Sequence, residues 1–280
     1  MENTKTVKAL KKQLVAAIAM VLVAAVALGS STYAWFVSNN KVTANTASIS
    51  AQSNAPFLKI ANHGEKLEKT DATQTASEDE SLLYPAQWNH QVKDTAYQFE
   101  SAYAKEATKA TILENSRFAV DENNIAKYAL KQSFDIGTTD DKAGAFQNLK
   151  VASVTITDNS NDSDKGFAKA ICVLVKCGDN WGVYKETNDG TELTEYGDGT
   201  TIVNKLTGKD GSNVSDAIAT EIAANGKVTV DVYVFYDGSA EKVYTDNLAN
   251  LRNCGVTVAF TATPVNTDGN PVDANNAVTK

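Results

Sequence analysis

The chain has 280 residues, in which 26 lysines and arginines stand against 34 aspartates and glutamates, for a net charge of −8 at neutral pH. A chain of this length can form one large domain or two small ones. The acidic balance and the lack of a basic patch with interleaved aromatic residues exclude nucleic acid as an expected partner and disfavour anionic lipid surfaces.

The N-terminal segment has the composition of a secretory signal. Four lysines precede an uninterrupted apolar run of fifteen residues, Leu14 to Leu28, and small residues follow it up to Ala34. As a helix this run spans about 22 Å, which is short against the roughly 30 Å core of a bilayer. We therefore expect residues 1–34 to be a signal peptide cleaved between Ala34 and Trp35, and the processed protein to be secreted or held at the cell surface.

The competing interpretation of this segment is a retained membrane helix. If the helix continues through Gly29 to Val37, it becomes long enough to span the bilayer, and Tyr33, Trp35 and Phe36 lie at the interface as an aromatic belt. In both cases the N-terminal segment is the part of the chain that meets the membrane. Cleavage decides whether that contact is temporary or permanent.

Beyond Ala34 the sequence is mostly typical of strands. Residues 35–55 are rich in threonine, serine and alanine, with β-branched residues such as Val42 and Ile49, which predicts an extended segment that needs a partner sheet. Further along, period-two alternation predicts strands and helical spacing predicts two short helices. The predicted strands are residues 57–60, 128–136, 149–157, 167–177, 181–184, 227–236 and 255–263, and the predicted helices are residues 94–111 and 215–224.

These elements indicate an all-β protein, an antiparallel and jelly-roll-like β-sandwich with one or two short helices, preceded by a hydrophobic signal helix. In the strongest strand, 227–236, one face is core. The opposite face is a candidate subunit contact or carbohydrate platform. The expected organisation is a signal peptide (1–34), an extended N-terminal segment (35–55), a β-sandwich domain (56–265) and a polar C-terminal tail (266–280).

Short motifs near both ends of the chain carry a family resemblance. The junction Gly29-Ser-Ser-Thr-Tyr-Ala-Trp-Phe leads into Thr46-Ala-Ser-Ile-Ser, and the later segment Val230-Asp-Val-Tyr-Val-Phe-Tyr-Asp-Gly is followed by Val256-Thr-Val-Ala-Phe-Thr-Ala. The first pair resembles the N-terminus of the TasA–camelysin family of Gram-positive surface proteins, and the second resembles a recurring ending among related clostridial proteins. The resemblance implies cleavage by a SipW-type signal peptidase and a secreted, jelly-roll-like subunit that assembles into fibres.

In such fibres the freed N-terminal segment pairs with the sheet of the next subunit. A lent strand gains main-chain hydrogen bonds and covers an open sheet edge. Here the candidate self-assembly strand begins at Trp35 and runs to about Ser50, and the expected partner is a second copy of the chain. Its named residues are Trp35, Phe36, Val37, Val42 and Ile49. The alternative is an intramolecular first strand or a spacer above the membrane.

No catalytic site, cofactor or metal site is predicted. His63 and His90 are the two histidines of the chain and neither belongs to an H-E-x-x-H motif, so the metalloprotease label attached to camelysin-type proteins finds little support. Asp158, Asp162 and Asp164 form the best calcium candidate. Their loop lacks the glycine and the terminal glutamate of an EF-hand, which favours a solvated turn.

Three cysteines, an odd number, leave at least one thiol free or intermolecular in a secreted chain. Cys172 and Cys177 lie on one predicted strand, about 16 Å apart when extended, which is too far for a disulfide. Cys254 reaches one of them only if the last strand lies close by. We expect buried, unpaired cysteines.

The expected function is a secreted structural subunit of a cell-surface or biofilm-matrix fibre, and not an enzyme. A membrane-tethered surface domain that binds a glycan or a host partner is the second hypothesis. An exported metal-dependent hydrolase, which would rest on His63 and His90, is the third.

Overall fold

The computed structural model describes most of the chain beyond the predicted signal. The described residues are 48–53, 58–75, 83–92, 96–138, 144–158, 168–187, 190–198, 202–203, 217–241, 243–244, 254–265 and 271. The predicted signal peptide, its cleavage site and the tail other than residue 271 lie outside them. In the described part of the chain, no helix is long and apolar enough to cross a membrane.

Strands make up nearly all of the regular structure in the described residues. They are β1 (Ser48–Ser53), β2 (Lys59–Asn62), β3 (Asp71–Thr75), β4 (Gln87–Asn89), β5 (Gln98–Ser101), β6 (Phe118–Ala119), β7 (Ala129–Gly137), β8 (Phe146–Asp158), β9 (Ile171–Cys177), β10 (Asn180–Thr187), β11 (Gly190–Asp198), β12 (Ile202–Val203), β13 (Ala217–Ile222), β14 (Lys227–Tyr236) and β15 (Cys254–Pro264). Two short 3₁₀ helices accompany them, Glu122–Lys127 and Ala168–Ala170.

The strands form three sheets. In spatial order the five-stranded sheet is β13-β8-β15-β1-β3, the seven-stranded sheet is β12-β11-β10-β9-β14-β7-β2, and the three-stranded sheet is β4-β5-β6. Among these described strands, neighbours run antiparallel except for β1 and β15, which run parallel. The prediction of an all-β, antiparallel sandwich is confirmed.

The main core lies between the five-stranded and seven-stranded sheets. Val230, Val232 and Val234 alternate along β14 and are buried in this core, because successive side chains of a strand point to opposite faces. Phe146 and Phe260 fill it from the five-stranded sheet. The valine pattern therefore accounts for the central place of β14, between β9 and β7.

The other face of the seven-stranded sheet is covered as well. We call residues 83–92 and 96–128, which contain the three-stranded sheet, the cap. Phe99 of the cap lies with its ring centroid 5.4 Å from Tyr233 and 5.3 Å from Phe235, and both partners are buried. The suggestion that this face of residues 227–236 is a subunit contact or a carbohydrate platform is therefore wrong, and the described residues form three layers.

Neither predicted helix forms. The described part of residues 94–111 contains β5, and Ala104 bridges to Ile112. Most of residues 215–224 is β13, an edge strand paired with β8. Phe99, which fits a helical stripe, is instead 3% exposed in the core beneath the cap. Short segments carry weak helical periodicity, and pairing with a neighbouring strand overrides it.

Candidate functional site

Strand β1 begins with the described part of the predicted self-assembly segment, which is Ser48 to Ser50. It lies inside the five-stranded sheet and pairs with β15 over Ile49 to Ser53 and with β3 on its other side. Ile49 and Ala51 are fully buried in the main core. Ile49 therefore belongs to the chain's own sheet, and the described sandwich begins at Ser48 rather than at residue 56. The remaining self-assembly residues lie outside the described residues: Trp35, Phe36, Val37 and Val42.

A partly buried ion pair lies between the seven-stranded sheet and the cap. Lys185 of β10 holds its Nζ 2.5 Å from Oδ2 of Asp237, which directly follows β14. The Asp237 side chain is 7% exposed and that of Lys185 is 32% exposed. Such a pair is stable only when hydrogen bonds satisfy the remaining polar atoms. Glu195 of β11 lines the same cavity, and we call these three residues the lysine cluster.

The two oxygens of Asp237 have different partners. Oδ1 accepts hydrogen bonds from the Ser239 backbone N–H at 2.8 Å, the Ser239 hydroxyl at 2.6 Å and Gln87 Nε2 at 3.3 Å. Oδ2 accepts from Lys185. Burial by itself would raise the pKa of Asp237, but Lys185 and Ser239 outweigh it and lower that pKa. The resting state is therefore an ion pair.

The pKa of Glu195 moves in the other direction. Burial raises the pKa of the Glu195 carboxyl group, and the opposing charge of Lys185 offsets only part of that increase. For Lys185, burial would lower the pKa, but Cys172 and Asp237 raise it overall. Two carboxyl groups with oppositely shifted pKa values thus lie near one lysine, which contacts Asp237 directly and interacts with Glu195 through its charge.

A cavity of about 50 Å³ lies between the lysine cluster and the cap. Gln87, Trp88 and Asn89 of β4 line one side of it, and Phe235 and Val183 of the seven-stranded sheet line another. A space of this size has room for water beside the charged groups. Asp237 is therefore shielded from bulk solvent, Lys185 and Glu195 are half-buried, and water fits beside all three.

The two cysteines of β9 are unpaired, as predicted from their spacing. Their odd separation along the strand points them to opposite faces, so Cys172 lies in the core beneath the cap and Cys177 packs against the main core. Burial raises the pKa of the Cys172 thiol, and it raises the pKa of Cys177 to about 11. The side chain of Cys254 is outside the described set.

We expect native Cys172 and Cys177 to react with iodoacetamide at pH 8 at least about a hundredfold more slowly than in the unfolded chain, because the thiolate is the nucleophile. Timed labelling followed by peptide mass mapping measures the two positions separately. The chain in denaturant provides the reference rate. Equal rates in the folded and unfolded states would contradict the burial of these thiols.

A second buried carboxylate anchors the turn that follows β2. Asp135 of β7 is fully buried and has four partners. Its Oδ1 lies 2.8 Å from both His63 Nδ1 and Thr229 Oγ1, and its Oδ2 accepts from Lys227 Nζ at 2.7 Å and from the Gly64 N–H at 3.2 Å. Burial would raise the pKa of Asp135, but the partners, Lys227 foremost, hold it well below its usual range.

The two histidines belong to different parts of the fold. His63 contacts Asp135, whereas the ring of His90 stacks on Tyr97 in the cap with centroids 4.7 Å apart. Within the described residues, no group of three or more histidine, cysteine and acidic side chains could hold a metal ion. Of the calcium candidate, Asp158 ends β8, and Asp162 and Asp164 lie outside the described residues.

Sequence reasoning did not identify the lysine cluster. Lys185 and Asp237 are 52 positions apart, and Asp237 followed by Gly238 reads as an ordinary turn. One signal was present. Trp181 and Val183, both buried, share a face of β10 with Lys185, and a lysine on an apolar face is rare unless it is paired.

Comparison with known proteins gives no relative for this chain. No family model, no curated protein and no solved structure matches it. Its function is therefore argued from its own sequence and geometry.

Proposed function

We propose that this protein is an exported structural subunit of a cell-surface or biofilm-matrix fibre, in which the N-terminal strand of one copy completes the sheet of the next. The observation that carries the proposal is the position of β1. It is the first described strand, it is buried between β15 and β3, and its pairing with β15 is parallel.

The parallel pairing matters because no local turn joins the two strands. β1 is the first and β15 the last of the described strands in sequence, although they are neighbours in the sheet. The place beside β15, between it and β3, is therefore filled by a strand that is remote from β15 in sequence. A strand of the same sequence from another copy would make the same hydrogen bonds there and bury the same Ile49 and Ala51. In the closed form β1 fills the sheet of its own chain, and in the linked form it fills the sheet of another copy. The balance between the two forms then depends mainly on chain entropy and protein concentration.

The sequence on either side of β1 suits such an exchange. Cleavage after Ala34 leaves residues 35–47 ahead of the strand, which span up to about 40 Å when extended. A free end lets β1 leave its slot without threading a loop through the sheet. On the other side, β1 ends at Ser53 and β2, in the other sheet, begins at Lys59, and so short a separation along the chain favours strand exchange.

Disulfide trapping between two variants of the chain 35–280, each with one added cysteine beside the native three, tests the proposal. Ala51 of β1 faces Val258 of β15 in the observed register. We expect a mixture of Ala51→Cys and Val258→Cys chains, assembled together and then oxidised, to form a disulfide between positions 51 and 258. Since the two cysteines are on separate chains, this bond requires that β1 of one copy lies on β15 of another.

In the matched control, an Ala152→Cys chain takes the place of the Val258→Cys chain. Ala152 is exposed on β8, a strand that does not pair with β1. We expect no bond to position 51 in that mixture, and the parent chain gives the background from native cysteines. A chain 35–280 that stays monomeric over a range of concentration and pH, with no bond from 51 to 258, would refute strand donation.

A further inference from the structure

The lysine cluster holds the amine of a half-buried lysine against a buried carboxyl group. Lys185 Nζ and Asp237 Oδ2 are 2.5 Å apart, and the Asp237 side chain is 7% exposed. Apolar groups of Val183 and Phe235 line the space around them. Fixing two reactants at contact distance replaces an encounter in solution by an intramolecular step, which raises the effective concentration by many orders of magnitude.

We propose that Lys185 and Asp237 condense to an intramolecular amide bond between Lys185 Nζ and Asp237 Cγ, with release of one water molecule and with Glu195 as the proton carrier. The reaction needs no oxidant, metal or activated donor, because an ammonium and a carboxylate together contain the atoms of one amide and one water. This amide bond is not part of the proposed function, and its presence or absence does not depend on strand donation.

The hydrogen bonds of Asp237 prepare its carboxyl group for attack. Oδ1 receives two donors from Ser239 and one from Gln87, whereas Oδ2 faces the amine. When the amine nitrogen adds to Cγ, negative charge develops on Oδ1, where the three donors are already placed to stabilise it. Oδ2 is then the oxygen that leaves, and Oδ1 becomes the carbonyl oxygen of the product.

Proton movement completes the balance. The raised pKa of Lys185 and the lowered pKa of Asp237 make the ion pair the resting state, so one proton must first pass uphill from the Lys185 ammonium to Asp237 Oδ2, which gives a neutral amine and a carboxylic acid. After the nitrogen adds to Cγ, Glu195, which lines the same cavity, takes a proton from nitrogen through a water in that cavity and delivers it by the same route to Oδ2, which departs as water, and Glu195 returns to its starting state. The raised pKa of Glu195 suits a group that must accept and release a proton. The adjoining cavity has room for the released water.

Condensation also removes a costly feature of the fold. Two charges held away from water carry a desolvation penalty, and a neutral amide avoids it. The bond would join β10 to β14 across β9, since Cys172 of β9 is the register partner of Lys185 on one side and of Phe235 on the other. Three adjacent strands would thus be braced covalently at the edge of the cap.

The chain contains two internal comparisons. Lys131 lies 2.9 Å from Asp231, and Lys227 lies 2.7 Å from Asp135, but these lysine side chains are 45% and 50% exposed. The Lys185 side chain is 32% exposed, so water reaches the ammonium groups of Lys131 and Lys227 more freely, and their hydration disfavours the neutral amine that must attack. We therefore expect neither pair to condense, although both are in contact.

Peptide mapping of the full chain tests the proposal. Trypsin should fail to cleave after Lys185, and residues 177–205 should be recovered joined to residues 228–242, with a mass one water below the sum of the two peptides. Cleavage after Lys131 and Lys227 should proceed normally. If folded wild-type protein yields free peptides that end at Lys185, the proposal is overturned.

Three variants assign the roles. Lys185→Arg keeps the positive charge beside Asp237 and should abolish the link completely, as should Asp237→Ala. Glu195→Gln should slow the formation of the link at least about tenfold in a time course after synthesis. Formation at the wild-type rate in Glu195→Gln would overturn the role of Glu195 as proton carrier. Lys131→Arg is the matched control and should leave the link intact.

Discussion

Replacing Trp181 with alanine is expected to lower the free energy of unfolding by about 3–5 kcal/mol, the usual cost of removing a large buried aromatic side chain. Trp181 of β10 is 5% exposed, and its ring centroid lies 5.7 Å from that of Trp88 and 4.6 Å from that of Tyr97. These contacts join the seven-stranded sheet to the cap. Chemical denaturation followed by circular dichroism measures the loss. Val92→Ala, at a cap position that is 39% exposed, is the control and should change stability by less than about 0.5 kcal/mol.

Gly197 provides a stricter test of the same packing. A Cβ atom at this position of β11 would lie 2.4 Å from two atoms of the Trp181 ring, closer than non-bonded atoms approach. Gly197→Ala should therefore be destabilising in the wild-type chain and nearly neutral when Trp181→Ala is already present. The double-mutant cycle measures this coupling. Simple additivity of the two substitutions would contradict the placement of the indole over Gly197.

The sandwich follows largely from two-residue periodicity. Strand β14 begins and ends where the alternation predicts, at Lys227 and Tyr236, because valines on one face must be buried together. The same pattern does not show that the opposite face is also covered. That depends on the cap, a segment from elsewhere in the chain whose strands are two to four residues long, too short to show a clear period.

The two candidate sites, the N-terminal pairing segment and the lysine cluster, differ in the same way in how far local sequence predicts them. The N-terminal pairing segment was predicted from local composition, and Ile49 is indeed in a strand. Whether that strand serves its own chain or another is a matter of concentration and chain entropy, which no local pattern encodes. The lysine cluster joins residues from β10, β11 and the end of β14, and its members become neighbours only after the sheet has formed. The sequence feature that indicates the lysine cluster is a lysine, Lys185, on the face of β10 where Trp181 and Val183 are buried.

Acid should weaken the fold through Asp135. The partners of this buried carboxylate lower its pKa, so its contribution to stability is fully present above the ordinary aspartate pKa of about 3.9 and is lost as the pH falls through the lower folded value. We expect Asp135→Asn to cost about 2–3 kcal/mol at pH 7, because the charge that Lys227 and the Gly64 N–H contact is gone. Denaturation measured at several pH values should show that this cost shrinks between about pH 4 and pH 2.

Asp231→Asn is the matched control for this acid effect. Asp231 lies on the neighbouring strand β14 and also contacts a lysine, Lys131, at 2.9 Å, but its side chain is 27% exposed and that of Lys131 is 45% exposed. Solvent screens such a pair, so its removal should cost less than about 1 kcal/mol. If Asp135→Asn were no more destabilising than Asp231→Asn, or if its cost stayed constant down to pH 2, the four contacts of Asp135 would not anchor the turn between β2 and β3. A cost that shrinks with acid identifies the ionised carboxylate, rather than the shape of the side chain, as the group that holds β2, β7 and β14 together.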